Sequence, residues 1–208
     1  SCRDLVHDLK EIDERIEIIP AHCMTPWFGL FGSKSGFDSL SECFLDQAHH
    51  IHAIESGMSA DPAMLWRFTE IAEGKARVVS FSDAHSHWPW RIGREATIFE
   101  FRDEEGGLSY DNVIKAIRTG AGLKATIETP PSYGKYHWDG HRNCKFSCSP
   151  EETKKLNGTC PKCGKGLTIG VDYRVEEVAE KEHGFRAENA APFYALVPLH
   201  EIIAFVQG

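Results

Sequence analysis

The chain has 208 residues, of which 41% are hydrophobic and 26% charged, and its formal net charge is −8. That length allows one good-sized domain with an appendage, or two small ones, and the balance is that of an ordinary soluble globular protein. The acidic surplus excludes a protein that coats nucleic acid through bulk charge, and no apolar run approaches the roughly 18 residues a membrane helix needs.

The opening segment, Ser1 to Asp8, is charged and helical in pattern rather than a signal peptide, and it begins without Met, as a fragment would. Residues 4–15 place Leu5, Leu9 and Ile12 at helical intervals. Ile16-Glu-Ile-Ile-Pro20 reads as a buried strand ending at Ala21-His22, followed by a glycine-rich aromatic loop from Thr25 to Gly36. A short helix is expected over 38–48 with Asp38 or Ser39 as N-cap, then a second strand over Ile51–Glu55. Residues 61–73 read as a helix, and Ala76–Ser82 as a third strand ending at Asp83. Helix and strand alternate in the rhythm of a parallel α/β layout. The rhythm continues with a strand from Thr97 to Phe101, a helix over Tyr110–Gly120 and a strand over Lys124–Glu128. Residues 133–170 are rich in Gly, His, Cys and Lys and too poor in apolar side chains to form their own core; a short charged helix (Val175–Glu182) and an apolar end (Phe193–Val206) close the chain. The expected division is 1–130, 131–170 and 171–208, with the last segment packing back on the first.

Seven cysteines are an odd number, and four fall between Cys144 and Cys163. That pattern suits metal-bound thiolates in a reducing, cytoplasmic compartment better than disulfides. Arg142, Lys145, Lys154, Lys155, Lys162 and Lys165 make the same stretch locally basic, opposed by Glu151 and Glu152 alone.

Three expected strands finish in cation-binding residues: His22, Glu55, and the pair Asp83 and His85. Functional groups in parallel α/β folds gather at the carboxyl ends of strands. A two-residue spacing turns Asp83 and His85 to one side if the strand persists. Mixed oxygen and nitrogen ligation suits Zn2+, Mn2+ or Fe2+, ions that polarise a phosphoryl oxygen and activate water. Glu55 is either a ligand or a residue orienting one. His49, His50 and His52 are read as structural or surface residues, and Cys23 as a small core residue.

At these residues the chain resembles the PHP (polymerase and histidinol phosphatase) class of metal-dependent phosphoesterases, and within it the endonuclease Q family. Ile19-Pro-Ala-His22 and Ser80-Phe-Ser-Asp-Ala-His85 are similar to the later metal motifs of PHP domains. Thr25-Pro-Trp-Phe28, Phe31–Asp38, Ala53–Gly57, Trp88–Glu95, Lys135–Cys144, Asn157–Lys165 and Leu196–Leu199 resemble endonuclease Q. The resemblance implies a distorted (βα)7 barrel, here in part, with a zinc-binding element. It implies a nuclease that cuts DNA 5′ to deaminated bases or abasic sites, using active-site divalent metals (Zn2+, Mn2+, Fe2+ or Mg2+) held by His22, Asp83 and His85. Nothing ahead of Ile19–His22 matches the first-strand His-x-His and the further His and Glu ligands that open PHP domains, so the resemblance is to the second half of the barrel, with an N-terminal half as expected partner.

Cys160-Pro-Lys-Cys163-Gly164 reads as a zinc knuckle. Cys144 is the third ligand, and the fourth is His141 or Cys148; a segment this polar needs such a staple to fold. Trp27, Phe28, Trp88 and Trp90 could receive a base taken out of the duplex, with Lys34, Arg91 and Arg94 on phosphates; Tyr136 and His137 carry no assignment. Three functions compete: a metal-dependent DNA endonuclease, a non-catalytic zinc-stapled remnant that binds nucleic acid or protein, and a phosphatase for a small phosphorylated metabolite.

Overall fold

Ser1 and Asp4 close a capping box, and helix α1 (Cys2–Ile12) starts there. The computed structural model describes residues 1–207, all but the side chain of Glu105; Gly208, the last residue of the expected tail, lies outside it. The face that α1 buries is Val6 and Lys10, whereas Leu5 and Ile12 of the expected apolar face stay exposed. Lys10 is buried because its ammonium group donates to the carbonyls of Glu14 (3.0 Å) and Ile16 (2.7 Å), closing the turn that follows the helix.

The expected strand at Ile16–Pro20 lies beside strand β1 (Ala53–Glu55) without forming a ladder. Contact comes at its end, where Glu55 N–H donates to Pro20 O and Cys23 N–H to Glu55 O, each at 3.0 Å. β1 pairs in parallel with β2 (Arg77–Val79). Ahead of β1, the expected helix over 38–48 is shorter. Ser39 caps α2 (Leu40–Phe44), and a positive φ at Leu45 turns the chain into a 3-10 segment. The expected helix over 61–73 is two short ones, α3 (Pro62–Leu65) and α4 (Thr69–Ala72). Its break lets Trp66 and Phe68 both be buried, Phe68 against Phe31 with ring centroids 4.7 Å apart.

The parallel rhythm ends at β2. Strand β3 (Ala96–Phe99) pairs antiparallel with β4 (Leu123–Glu128), despite helix α5 (Tyr110–Thr119) between them. Glu100 N–H donates to Gly122 O (2.8 Å), so the chain returns to the end of the sheet it left. Helix α5 is therefore an excursion between antiparallel neighbours rather than a parallel crossover. Gly120, at φ +81°, ends α5 in the left-handed region that glycine enters at little cost. The two sheets meet through side chains: Ser80 N–H donates to Thr97 Oγ1, and that hydroxyl donates back to Ser80 O, both at 2.9 Å.

Strands β5 (Asp139–His141) and β6 (Phe146–Cys148) form an antiparallel hairpin, followed by α6 (Pro150–Lys155). A small cluster of Cys148, Cys160 and Leu167, with Cys144, Phe146 and Leu156 against it, gives this element a core of its own, contrary to the expectation from composition. Helix α7 (Val171–Val178) begins four residues before the expected Val175, because Val171 and Val175, one turn apart, both enter the main core. Strand β7 (Phe193–Ala195) adds in parallel to β4, and α8 (Leu199–Gln207) keeps its apolar side chains exposed. Among the described residues no helix is long and apolar enough to cross a membrane.

Phe31, with Phe68 among the largest fully buried side chains, anchors the aromatic loop to this core. Phe31→Ala is expected to cost roughly 3–5 kcal/mol of stability, read from the midpoint of a urea melt; a loss under about 1 kcal/mol would place the anchor elsewhere.

Candidate metal and substrate cleft

One cleft of about 600 Å³ is lined by His22, Asp83 and His85 together with Trp27, Phe28, Trp90, Arg91 and Arg94. Trp88 and Lys34 do not line it: Trp88 stacks on Trp90 at 5.0 Å with the planes 10° apart, and Lys34 is exposed on the glycine loop. Residues with no expected role complete the wall, including Met58, Thr129, Lys135, Tyr136 and His200.

Strand geometry does not aim the Asp-x-His pair. β2 ends at Val79, and Asp83 sits in a loop at φ +43°. His85 Nδ1 lies 2.8 Å from the carbonyl of Asp83 and 3.8 Å from its Oδ1, and the His85 side chain is 85% exposed. Of the seven non-glycine residues described with positive φ, four line the cleft: His22, Phe28, Met58 and Asp83. Each such backbone costs about 1–3 kcal/mol and persists where the surroundings hold it, which is how binding sites and active sites store strain.

For His22 the holding group is Glu55, whose Oε2 accepts the His22 backbone N–H. Gly57 is packed so closely that a Cβ there would meet His22 Cα at 2.7 Å. Burial raises the pKa of Glu55, the His22 N–H and side chain oppose that shift, and the charge of Asp83 adds to it. Two more buried carboxylates lie near it. Glu95, 1% exposed, accepts N–H groups from Met58 (2.8 Å) and Thr129 (3.1 Å), and burial pushes its pKa up to about 7. Glu128, fully buried at the end of β4, accepts from the hydroxyls of Ser56 (2.8 Å) and Ser80 (3.1 Å); its Oε1 has no partner, and burial pushes its pKa to about 8. Glu128 ended an expected strand as His22 and Glu55 did, and the same strand-end argument would have found it; Glu95 carried no sequence signal beyond its place in a motif.

Among the described residues one group of three or more metal-binding side chains has gathered to ligand distances: His141, Cys144, Cys160 and Cys163, with ligand atoms within 4.8 Å of one another. His141 Nδ1 is 3.3 Å from Cys163 Sγ, while Cys148 turns its thiol to Thr153 Oγ1 at 3.3 Å. Burial raises the Cys160 thiol, but the backbone N–H groups of Lys162 and Cys163 outweigh it and favour the thiolate. An imidazole and three sulfurs on two tight turns are a donor set that could hold a metal such as zinc. The neighbouring histidines outside the cleft have local contacts: His52 pairs with Glu17 at 3.0 Å, a carboxylate that also takes Arg118, and the rings of His49 and His50 lie 4.0 Å apart.

No protein-family model matches the chain. An uncharacterized protein of Methanocaldococcus jannaschii is 36% identical over 191 residues, which is 90% of this chain and 23% of that protein. The crystal structure of the lesion-specific endonuclease PfuEndoQ from Pyrococcus furiosus is similar at a TM-score of 0.82 and 32% identity, over 100% of this chain and 49% of its own. Endonuclease Q in complex with a 27-mer duplex substrate, with an abasic lesion at the active site, is similar at 0.83 and 31% over the same shares. The chain thus has the mixed α/β structure of about half of an endonuclease Q and spans under a quarter of the curated relative.

The buried carboxylates make stability depend on pH. Burial holds the pKa of Glu128 above its ordinary 4.5, so the folded state keeps a proton that the unfolded chain releases. This contribution is fully present below about pH 4.5 and is lost as pH rises to about 8. Glu128→Gln should therefore leave stability at pH 4.5 unchanged and raise it at pH 8.5 by on the order of 1–3 kcal/mol. Urea melts across that range check it; parallel curves for both proteins would show that Glu128 ionises normally.

Proposed function

We propose that the chain is the second, DNA-engaging half of a metal-dependent endonuclease of the endonuclease Q type, which hydrolyses the phosphodiester 5′ to deaminated bases or abasic sites. The observation that carries this reading is a pair of facts about one place. His22, Asp83 and His85 share one cleft, in a chain similar over its whole length to a lesion-specific endonuclease. In this reading residues 1–130 are part of a PHP-type barrel, 131–170 a zinc-binding element and 171–208 a tail whose α7 and β7 pack back on the barrel while α8 leaves its apolar side chains exposed. The remaining metal ligands come from a segment matching the half of endonuclease Q that the chain does not span.

His22, Asp83 and His85 would hold divalent cations, which would polarise the scissile phosphoryl group and acidify the attacking water. Around them the chain's own residues bind and orient. Trp27, Phe28 and Trp90 offer aromatic planes to an unstacked base, with Trp88 backing Trp90. Arg91, Arg94 and Lys135 on the wall, with Lys34 on the loop nearby in sequence, neutralise phosphates. Zinc on His141, Cys144, Cys160 and Cys163 would staple an element whose Arg142, Lys145, Lys154, Lys155, Lys162 and Lys165 are exposed, a surface suited to the DNA backbone. Thiolate ligation suits a reducing cytoplasm.

A second reading, a non-catalytic zinc-stapled module that binds nucleic acid or protein, is favoured by one observation: the His/Cys group is the one that has gathered to ligand distances among the described residues. The two readings part in a nicking assay. The full-length protein with Mn2+ is expected to cut a duplex carrying deoxyuridine, deoxyinosine or an abasic site on the 5′ side of the lesion. Asp83→Asn should lower the rate by roughly a hundredfold or more. Binding of the lesion duplex without cutting would favour the module, and cutting undiminished in Asp83→Asn would remove Asp83 from the site.

A further inference from the structure

The cleft is walled by loops that leave three different strands, and loops need something rigid to hold a constellation to fractions of an ångström. Glu95 touches all three. Its Oε2 accepts the N–H of Met58, in the loop after β1, and its Oε1 accepts the N–H of Thr129, in the loop after β4. Its backbone carbonyl accepts the hydroxyl of Ser82, next to Asp83 in the loop after β2, and the Ser82 carbonyl accepts Nε of Arg94, both at 3.0 Å. Met58, Asp83, Arg94 and Thr129 all line the cleft. We infer that Glu95 is the positioning residue of this cleft: its carboxylate and carbonyl hold the loops after β1, β2 and β4 in one register. The inference rests on reading the cleft as a DNA site, but the register itself can be read without DNA.

Two features separate this role from plain stability. An ionised carboxylate is an acceptor at both oxygens, so it alone can take two N–H groups pointing from opposite loops; a glutamine in its place offers one acceptor and one donor. Burying that carboxylate is unfavourable in itself, which is why its pKa rises to about 7. The charged groups facing it do not relieve the cost evenly: Glu55 from β1 and Glu128 from β4 oppose its ionisation, and Arg94 beside it favours it. A residue kept for stability alone would be better neutral or apolar. The carboxyl sits where it fixes the backbone of Met58, itself at φ +27°.

The test is Glu95→Gln, read three ways. Its melting temperature at pH 8 is expected to equal or exceed that of the parent. Hydrogen exchange at the Met58 or Thr129 amide should quicken at least tenfold, and affinity for an abasic-site duplex in Ca2+, by fluorescence anisotropy, should fall about tenfold. That split, stability kept while exchange and affinity suffer, is what a merely structural carboxylate would not give. Exchange at both amides unchanged in Glu95→Gln overturns the inference. If the parent binds no abasic duplex, the DNA reading falls while the exchange result still decides the role of Glu95. Should Glu95→Gln fail to fold, the parent decides by NMR. The Met58 and Thr129 amide resonances should move with pH along the same curve as the Glu95 carboxyl, and independent or absent movement overturns the inference.

Discussion

Glu55 accepts the backbone N–H of His22, and through that bond a buried carboxylate fixes the first of the candidate ligands in a backbone that histidine seldom adopts. The rest of the cleft is built on the same terms. Glu55, Glu95 and Glu128 lie in the interior where strands β1, β3 and β4 meet, each paired with backbone N–H groups or serine hydroxyls rather than with a buried cation. Carboxylates so placed repel one another, and burial raises the pKa of all three. The arrangement is unfavourable for a scaffold and places buried hydrogen-bond acceptors directly beneath the strained loops of the cleft.

The thiolate element solves a different problem with different means. Residues 133–170 have too few large apolar side chains for an ordinary core, yet Cys144, Cys148 and Cys160 themselves serve as its apolar contents, packed with Phe146, Leu156 and Leu167. A cysteine behaves as a small hydrophobe as readily as it ligates. Ligation and packing would therefore draw on the same Cys144 and Cys160 sulfurs, and metal binding there would also be folding free energy. The element is joined to the main body by Asp139, which accepts the Gly170 N–H at the start of α7, and by α7 itself, whose Val171 and Val175 reach the core.

Much of the site could be read from sequence because it obeys a simple rule: residues ending successive strands meet on one face. Of the residues it singled out, Glu55 ends strand β1, whereas His22 follows a segment that forms no ladder and Asp83 lies beyond its strand, both placed by loops at positive φ rather than by pleat. Glu128 obeyed the same rule and went unread because carboxylates end many strands. What periodicity could not carry was direction. Nothing in Thr97–Phe101 or Lys124–Glu128 says that β3 and β4 run antiparallel, since this depends on how far the chain travels before α5 returns it. Leu5 and Ile12 misled for a related reason: their spacing was helical, but the face that α1 buries was decided by Val6 and by the carbonyls awaiting Lys10. Glu95 had no readable pattern, because its partners are backbone amides 34 and 37 residues away.

The central claim is that cations sit over His22 and Asp83, in addition to any held by the thiolates. Crystals of the zinc-loaded protein soaked in Mn2+, with anomalous maps recorded at the manganese and zinc edges, address it directly. The account predicts zinc signal among His141, Cys144, Cys160 and Cys163 and separate manganese signal in the cleft, against His22 and Asp83. Signal confined to the thiolate cluster, with manganese in large excess over the protein in the soak, would contradict it.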